Sequence, residues 1–256
     1  MLALITGASS GIGRDMARTL SRMGYDLILV ARREDRLLNL KQDLKTDVTI
    51  LPLDLSVQEN CFKLLHITQE MDIDILINNA GFGLFGDFYT TDLDTEIKMI
   101  NTNIRAVHIL TKEFYRRFRD KNNGWILNVA SSAAFAPGPL MSTYYASKAY
   151  VLRLSMAIYE EARRDGSNIH ISILCPGPVK TEFDEKADVQ FSLKGLNSEE
   201  VAVYALNQMF RNQLFIIPGM IMKTAKFIER FLPDKLLLRA AYHMQQRKNT
   251  RKRIIR

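Results

Sequence analysis

Short apolar runs alternate along the chain with longer segments in which apolar residues return every three or four positions. The runs fall at 2–6, 27–30, 48–53, 73–78, 125–129 and 170–174, and their length suits buried strands. After the first run, Ile12, Met16, Ala17, Leu20 and Met23 recur at helical spacing up to Gly24. Further helices are expected over 34–44, 57–69, 94–118 and 142–163, and another from 198 through 210. Within 94–118, Ile97, Ile100, Ile104, Val107 and Leu110 share a face, with Asp94 as the expected N-cap. Strands alternating with helices at this interval imply right-handed βαβ units and a parallel sheet, so the fold class is α/β. Ligands of such sheets bind beyond the carboxyl ends of the strands, which singles out Thr6, Arg32, Asp54 and Asn79.

A length of 256 residues fits one large α/β domain or two small ones, and 47% apolar residues supply a sizeable core. Cys61 and Cys175 are far apart, each in an apolar run, and read as core thiols of a reducing compartment. The first apolar run is too short for a signal peptide, and no stretch reaches the ~18 apolar residues of a spanning helix. A cytoplasmic protein is expected. The net charge of +7 is uneven: Arg247, Lys248, Arg251, Lys252, Arg253 and Arg256 carry six of it, leaving a nearly neutral body. Such a tail is either a solvated terminus or a weak membrane-surface contact. It has no aromatic interleaving or nucleic-acid motif, and no nucleic-acid partner is expected.

The first run leads into Gly7-Ala8-Ser9-Ser10-Gly11-Ile12-Gly13 and then a helix. Glycines let a backbone approach a pyrophosphate, and a helix N-terminus offers free N–H groups and a positive dipole end. The spacing is not G-x-G-x-x-G, so on its own it is also compatible with a plain tight turn. The second strand ends in Ala31-Arg32-Arg33, with no carboxylate for a ribose 2′-hydroxyl and two guanidiniums suited to a 2′-phosphate. Further on, Tyr144 and Lys148 stand four apart at the start of a helix, after Ser131 and a Pro/Gly loop. An ammonium beside a phenol favours the phenolate and would draw the tyrosine below its usual pKa of about 10, as acid–base work on a carbonyl oxygen requires.

Thr6-Gly7-Ala8-Ser9-Ser10-Gly11-Ile12-Gly13, Asn78-Asn79-Ala80-Gly81, Asn101, Ser131, Tyr144-x-x-x-Lys148 and Pro176-Gly177 follow one another as in the short-chain dehydrogenase/reductase superfamily, which residues 1–182 closely resemble. The resemblance implies a Rossmann-like, doubly wound, mostly parallel seven-stranded sheet with helices on both faces, its last strand at 214–217. It implies Tyr144 as acid/base, Ser131 as the group orienting the substrate oxygen, Lys148 on the nicotinamide ribose, and Asn101 as the holder of a relay water. Gly7, Ser9, Ser10, Gly11, Ile12 and Gly13 would line the pyrophosphate turn, and Asp54 and Leu55 the adenine. Asn79, Ala80 and Gly81 would line the cofactor's middle, and Pro176, Gly177, Val179 and Thr181 the nicotinamide. Arg32 matches the 2′-phosphate position, with Arg33 beside it as the other candidate. Tyr145 and Ser132 are the competitors within the doublets; only the family spacing selects Tyr144 and Ser131.

The resemblance makes residues 1–218 a cofactor-binding and catalytic domain, with a substrate lid about 182–197. Residues 219–256 add two amphipathic segments, 220–231 and 233–244, and the basic tail. Leu236, Leu237, Leu238 and Tyr242 need cover from the substrate cleft, a second subunit or a membrane headgroup layer. The expected activity is interconversion of an apolar ketone or aldehyde with its alcohol, with NADP(H) preferred over NAD(H) and without a metal. A homodimer or homotetramer is implied. The alternatives are a dinucleotide-binding regulator without turnover and a membrane-associated lipid reductase.

Overall fold

The computed structural model describes residues 1–183, 195–219, 222–224 and 233–253. Seven strands form one sheet: β1 (Leu2–Thr6), β2 (Asp26–Ala31), β3 (Val48–Pro52), β4 (Ile75–Asn78), β5 (Gly124–Val129), β6 (Ile169–Leu174) and β7 (Phe215–Ile216). Their order is β3-β2-β1-β4-β5-β6-β7. Every pairing is parallel, so the sheet is wholly rather than mostly parallel. The order reverses between β1 and β4, and the crevice above that switch point is where an open α/β sheet takes its ligand.

Among the described residues the helices are α1 (Gly11–Arg22), α2 (Glu34–Asp43), α3 (Gln58–Ile67), α4 (Leu93–Ile100), α5 (Val107–Asp120), α6 (Ser142–Arg164), α7 (Ser198–Met209) and α8 (Asp234–Arg253). Alternate residues of the strands feed two cores. Ala3 and Ile5 of β1 pack with Met16 and Leu20 of α1, Leu37 of α2 and Val201 and Leu206 of α7. Leu4 points the other way, with Leu64 of α3, Phe114 and Phe118 of α5 and Ala162 of α6. This period of two is what a strand covered on both faces requires.

Three expectations change. Asp92, not Asp94, caps the helix that begins at 93, its carboxylate accepting from Thr95 N at 2.8 Å. The long helix is also not uniform: a π-helical stretch, Asn101–Ala106, separates α4 from α5. At the C-terminus α8 runs further than the expected 233–244. Of the expected 220–231 helix only 222–224, which are helical, are described, and of the expected lid 184–194 lie outside the described residues. Among the described residues no helix is long and apolar enough to cross a membrane.

Candidate active site

A cleft of about 390 Å3 opens above the switch point, within the range of small-molecule sites. One end is made by the turn after β1. Gly7 and Gly11 have φ of +67° and +54°. A Cβ on Gly7 would meet Ala80 Cα at 2.8 Å, and one on Gly11 would meet Thr181 Cγ2 at 2.8 Å. Thr6 Oγ1 accepts from Asn79 N and Ala80 N at 3.0 Å, while Asn79 Nδ2 donates to Thr6 O and Gly7 O at 3.1 Å. Ser10 caps α1 without a side-chain hydrogen bond, which leaves the first-turn N–H groups available to an anion. These features fit the pyrophosphate of a nicotinamide dinucleotide. Gly13 is a correction: it is buried and does not line the cleft. A Cβ there would lie 2.4 Å from Asn79 Nδ2 and 2.5 Å from Gly7 O, so its work is to let α1 begin against the turn.

Arg32, Arg33, Asp54, Leu55, Asn79, Ala80 and Gly81 all line the cleft. The two arginines part company. Arg32 is 61% exposed, its nearest carboxylate being Asp54 at 4.0 Å. Arg33 points into the turn, with Nη2 at 3.1 Å from Ser9 Oγ and 3.0 Å from Ser10 Oγ. Its Nη1 donates to Glu182 Oε2 at 2.8 Å.

The other end gathers Ser131, Tyr144 and Lys148 with Pro176, Gly177, Val179 and Thr181. Ser131 follows β5 and caps a short 3-10 turn, accepting from Ala133 N at 3.1 Å. Tyr144 and Lys148 lie on the inner face of α6, 8% and 5% exposed. Lys148 Nζ donates to Val129 O at 2.9 Å and sits 6.0 Å from the Tyr144 ring centroid. Burial, partly countered by hydrogen bonding to Ser131, pushes the Tyr144 phenol above its ordinary value. Burial also lowers Lys148 to about 8. The expected lowering of the phenol by the lysine is therefore corrected: burial disfavours both charged forms, and Tyr144 holds its proton. The doublet separates as well. The Tyr145 hydroxyl accepts from Gln245 Nε2 at 2.7 Å, and the Tyr145 ring covers Gly138, so Tyr145 is committed elsewhere.

Asn101 is not at the cleft. Asn103, two residues on, is fully buried: its Nδ2 donates to Phe82 O at 2.9 Å and Ser147 Oγ at 3.0 Å, and its Oδ1 accepts from Phe82 N at 3.1 Å. A Cβ on Gly81 would lie 3.0 Å from Asn103 Oδ1 and 3.3 Å from Lys148 Nζ, so Asn103 is the asparagine beside the lysine. Both asparagines lie in the π-helical stretch, whose extra residue per turn shifts the helical phase; π turns gather at functional sites. Sequence reasoning also missed Phe183, whose ring packs at a tilt against Tyr144 with centroids 5.3 Å apart, and Gln245, which brings α8 back to Tyr145. Phe183 falls within the expected lid of 182–197.

The chain matches the short chain dehydrogenase family over residues 1–190 and belongs to it. It is similar to a short-chain dehydrogenase from Sphingobium yanoikuyae in complex with NADPH, at 33% identity and a TM-score of 0.79 over 86% of this chain and 88% of that one. It is also similar to the bulky-bulky ketone specific alcohol dehydrogenase of Comamonas testosteroni, at 31% identity and a TM-score of 0.76 over 86% of each chain. The 3-oxoacyl-[acyl-carrier-protein] reductase of Rickettsia prowazekii is 34% identical over 188 residues, 72% of this chain and 75% of that protein. The protein is thus an oxidoreductase acting on CH–OH groups with a nicotinamide dinucleotide.

Proposed function

We infer that this enzyme is an NADP(H)-dependent carbonyl reductase or alcohol dehydrogenase for an apolar ketone or aldehyde. The observation that carries this reading is a buried Tyr144 beside Ser131 and Lys148 at an apolar end of the cleft. The bound nicotinamide would supply or accept the hydride. Tyr144 donates its proton to the carbonyl oxygen, and Ser131 orients that oxygen. Lys148 holds the nicotinamide ribose through its ammonium, and Asn103, rather than Asn101, positions the proton path behind it. Phe82, Met141, Tyr145, Phe183 and Met222 line the same end and favour an apolar substrate. Met222 in the lining and Gln245 on Tyr145 bring the C-terminal segment to that end. NADP(H) is supported by a β2 end without a carboxylate and by Arg33 against Ser9 and Ser10. Its similarity to an NADPH-bound dehydrogenase, a bulky-ketone enzyme and a 3-oxoacyl reductase supports the same reading.

Oxidation of NADPH by the purified chain with bulky ketones and 3-oxoacyl thioesters tests the reading. Tyr144→Phe should lower kcat by about a thousandfold, within the range of general acid catalysis, while NADPH affinity changes by less than about threefold. Wild-type turnover in the variant would sink the assignment.

A further inference from the structure

We propose that Glu182 is an internal anion that competes with the cofactor's 2′-phosphate for Arg33, and so tunes how strongly the enzyme selects a phosphorylated dinucleotide. The inference rests on the NADP(H) reading and deepens it.

Arg33 stands between β2 and α2 as the N-cap residue of α2. One edge of its guanidinium faces the Ser9 and Ser10 hydroxyls, and its Nη1 donates to Glu182 Oε2. The other carboxylate oxygen of Glu182 accepts from Arg36 Nη1, near the start of α2. A single carboxylate therefore bridges two guanidiniums beside two hydroxyls and a positive helix end. A phosphate monoester asks for that donor set: a planar fork for two of its oxygens and neutral donors for the third. The Arg33 and Glu182 side chains are 30% and 28% exposed, so solvent screens the pair only in part.

Arg32 has no such arrangement, since Asp54 is its nearest carboxylate, at 4.0 Å. Glu182 is also tied to the rest of the cleft. It follows Thr181, which packs over Gly11, and precedes Phe183, which covers Tyr144. A dianion arriving at Arg33 must either displace the carboxylate or sit beside it, and like charges in one pocket repel. In both cases the glutamate opposes the phosphate and leaves a ribose without the phosphate nearly unaffected.

Calorimetric titration of the full-length chain with adenosine 2′,5′-bisphosphate and adenosine 5′-monophosphate reads this without turnover. Glu182→Gln keeps the shape and removes the charge. It should tighten the bisphosphate by about five- to tenfold and the monophosphate by less than about twofold. Equal tightening of both ligands, or no change, overturns the proposal. Weaker bisphosphate binding overturns it too, because the glutamate would then be orienting the arginines for the phosphate. The reading beneath is tested separately. The wild type should prefer the bisphosphate, and Arg33→Ala should remove that preference. A wild type without preference defeats the NADP(H) reading, whereas a preference lost in Arg33→Ala but unaltered in Glu182→Gln defeats only the competition.

Discussion

The two ends of the cleft are built on opposite plans. The nucleotide end is backbone: Gly7, Gly11 and Gly13 matter for lacking a Cβ, and the side chains of Thr6 and Asn79 are spent on peptide groups. At the catalytic end the actors are side chains. Tyr144, Lys148 and Asn103 are buried, and each is held by specific partners. A backbone site is broken by adding an atom, and a side-chain site by removing one. The first is specified locally in sequence, whereas the second depends on which element packs against which.

The largest effect expected on cofactor binding breaks the backbone plan. Gly13→Ala would place a Cβ 2.4 Å from Asn79 Nδ2 and 2.5 Å from Gly7 O. The Gly7 carbonyl is main chain and cannot step aside alone, so the whole turn must shift. Overpacking of this kind costs about 1–3 kcal/mol, and if the turn bears it, dinucleotide affinity should fall by up to about a hundredfold. Fluorescence titration with NADPH measures this, and binding within about threefold of wild type would show that the turn does not depend on the missing Cβ.

The side-chain plan is broken by Asn103→Ala. Removing the amide strips partners from the Phe82 N–H and C=O and from Ser147, which should cost about 2 kcal/mol of stability by denaturant unfolding. As a positioning loss it should lower kcat by about tenfold, or about 1.4 kcal/mol of barrier. Asn101→Ala should change stability by less than about 0.5 kcal/mol, as for a site with no such feature. The reverse ranking would return the role to Asn101.

The contrast also explains what could be read before the structure. The strands were legible because a sheet covered on both faces makes each strand a nearly continuous apolar run, and the glycine turn because its residues are neighbours. Asp94 is the cap that the apolar stripe suggests, and only the Thr95 N–H contact identifies Asp92. Asn101 rests on the family resemblance, and nothing in the sequence marks the π turn in which Asn103 comes to lie beside the lysine instead. The split between Arg32 and Arg33 depends on Ser9 and Ser10, more than twenty residues back, and on Glu182, far ahead in the chain. Periodicity cannot carry such distances. Tyr144's raised pKa was missed for the same reason, since spacing shows the lysine but not the depth of burial.

The smallest effect is a titration, and it separates chemistry from folding at the catalytic end. Burial sets Lys148 at about 8 against an ordinary 10.5. If its ammonium is needed to hold the ribose, kcat/KM, which reports the free enzyme, should be level below about pH 7 and about half its plateau at pH 8. It should then fall, reaching about a quarter of its plateau at pH 8.5. Tyr144, raised above 10, stays protonated through this window. Stability should respond with the opposite sign. Between about 8 and 10.5 the folded chain holds this proton less than the unfolded chain does, so the Lys148 contribution to stability rises as pH rises. Activity that declines from pH 8 to 9 while the urea midpoint does not fall with it would assign the loss to the lysine's proton. A kcat/KM level to pH 9.5 would mean that the ammonium is not required, leaving Ser131 and Tyr144 to handle the proton without it.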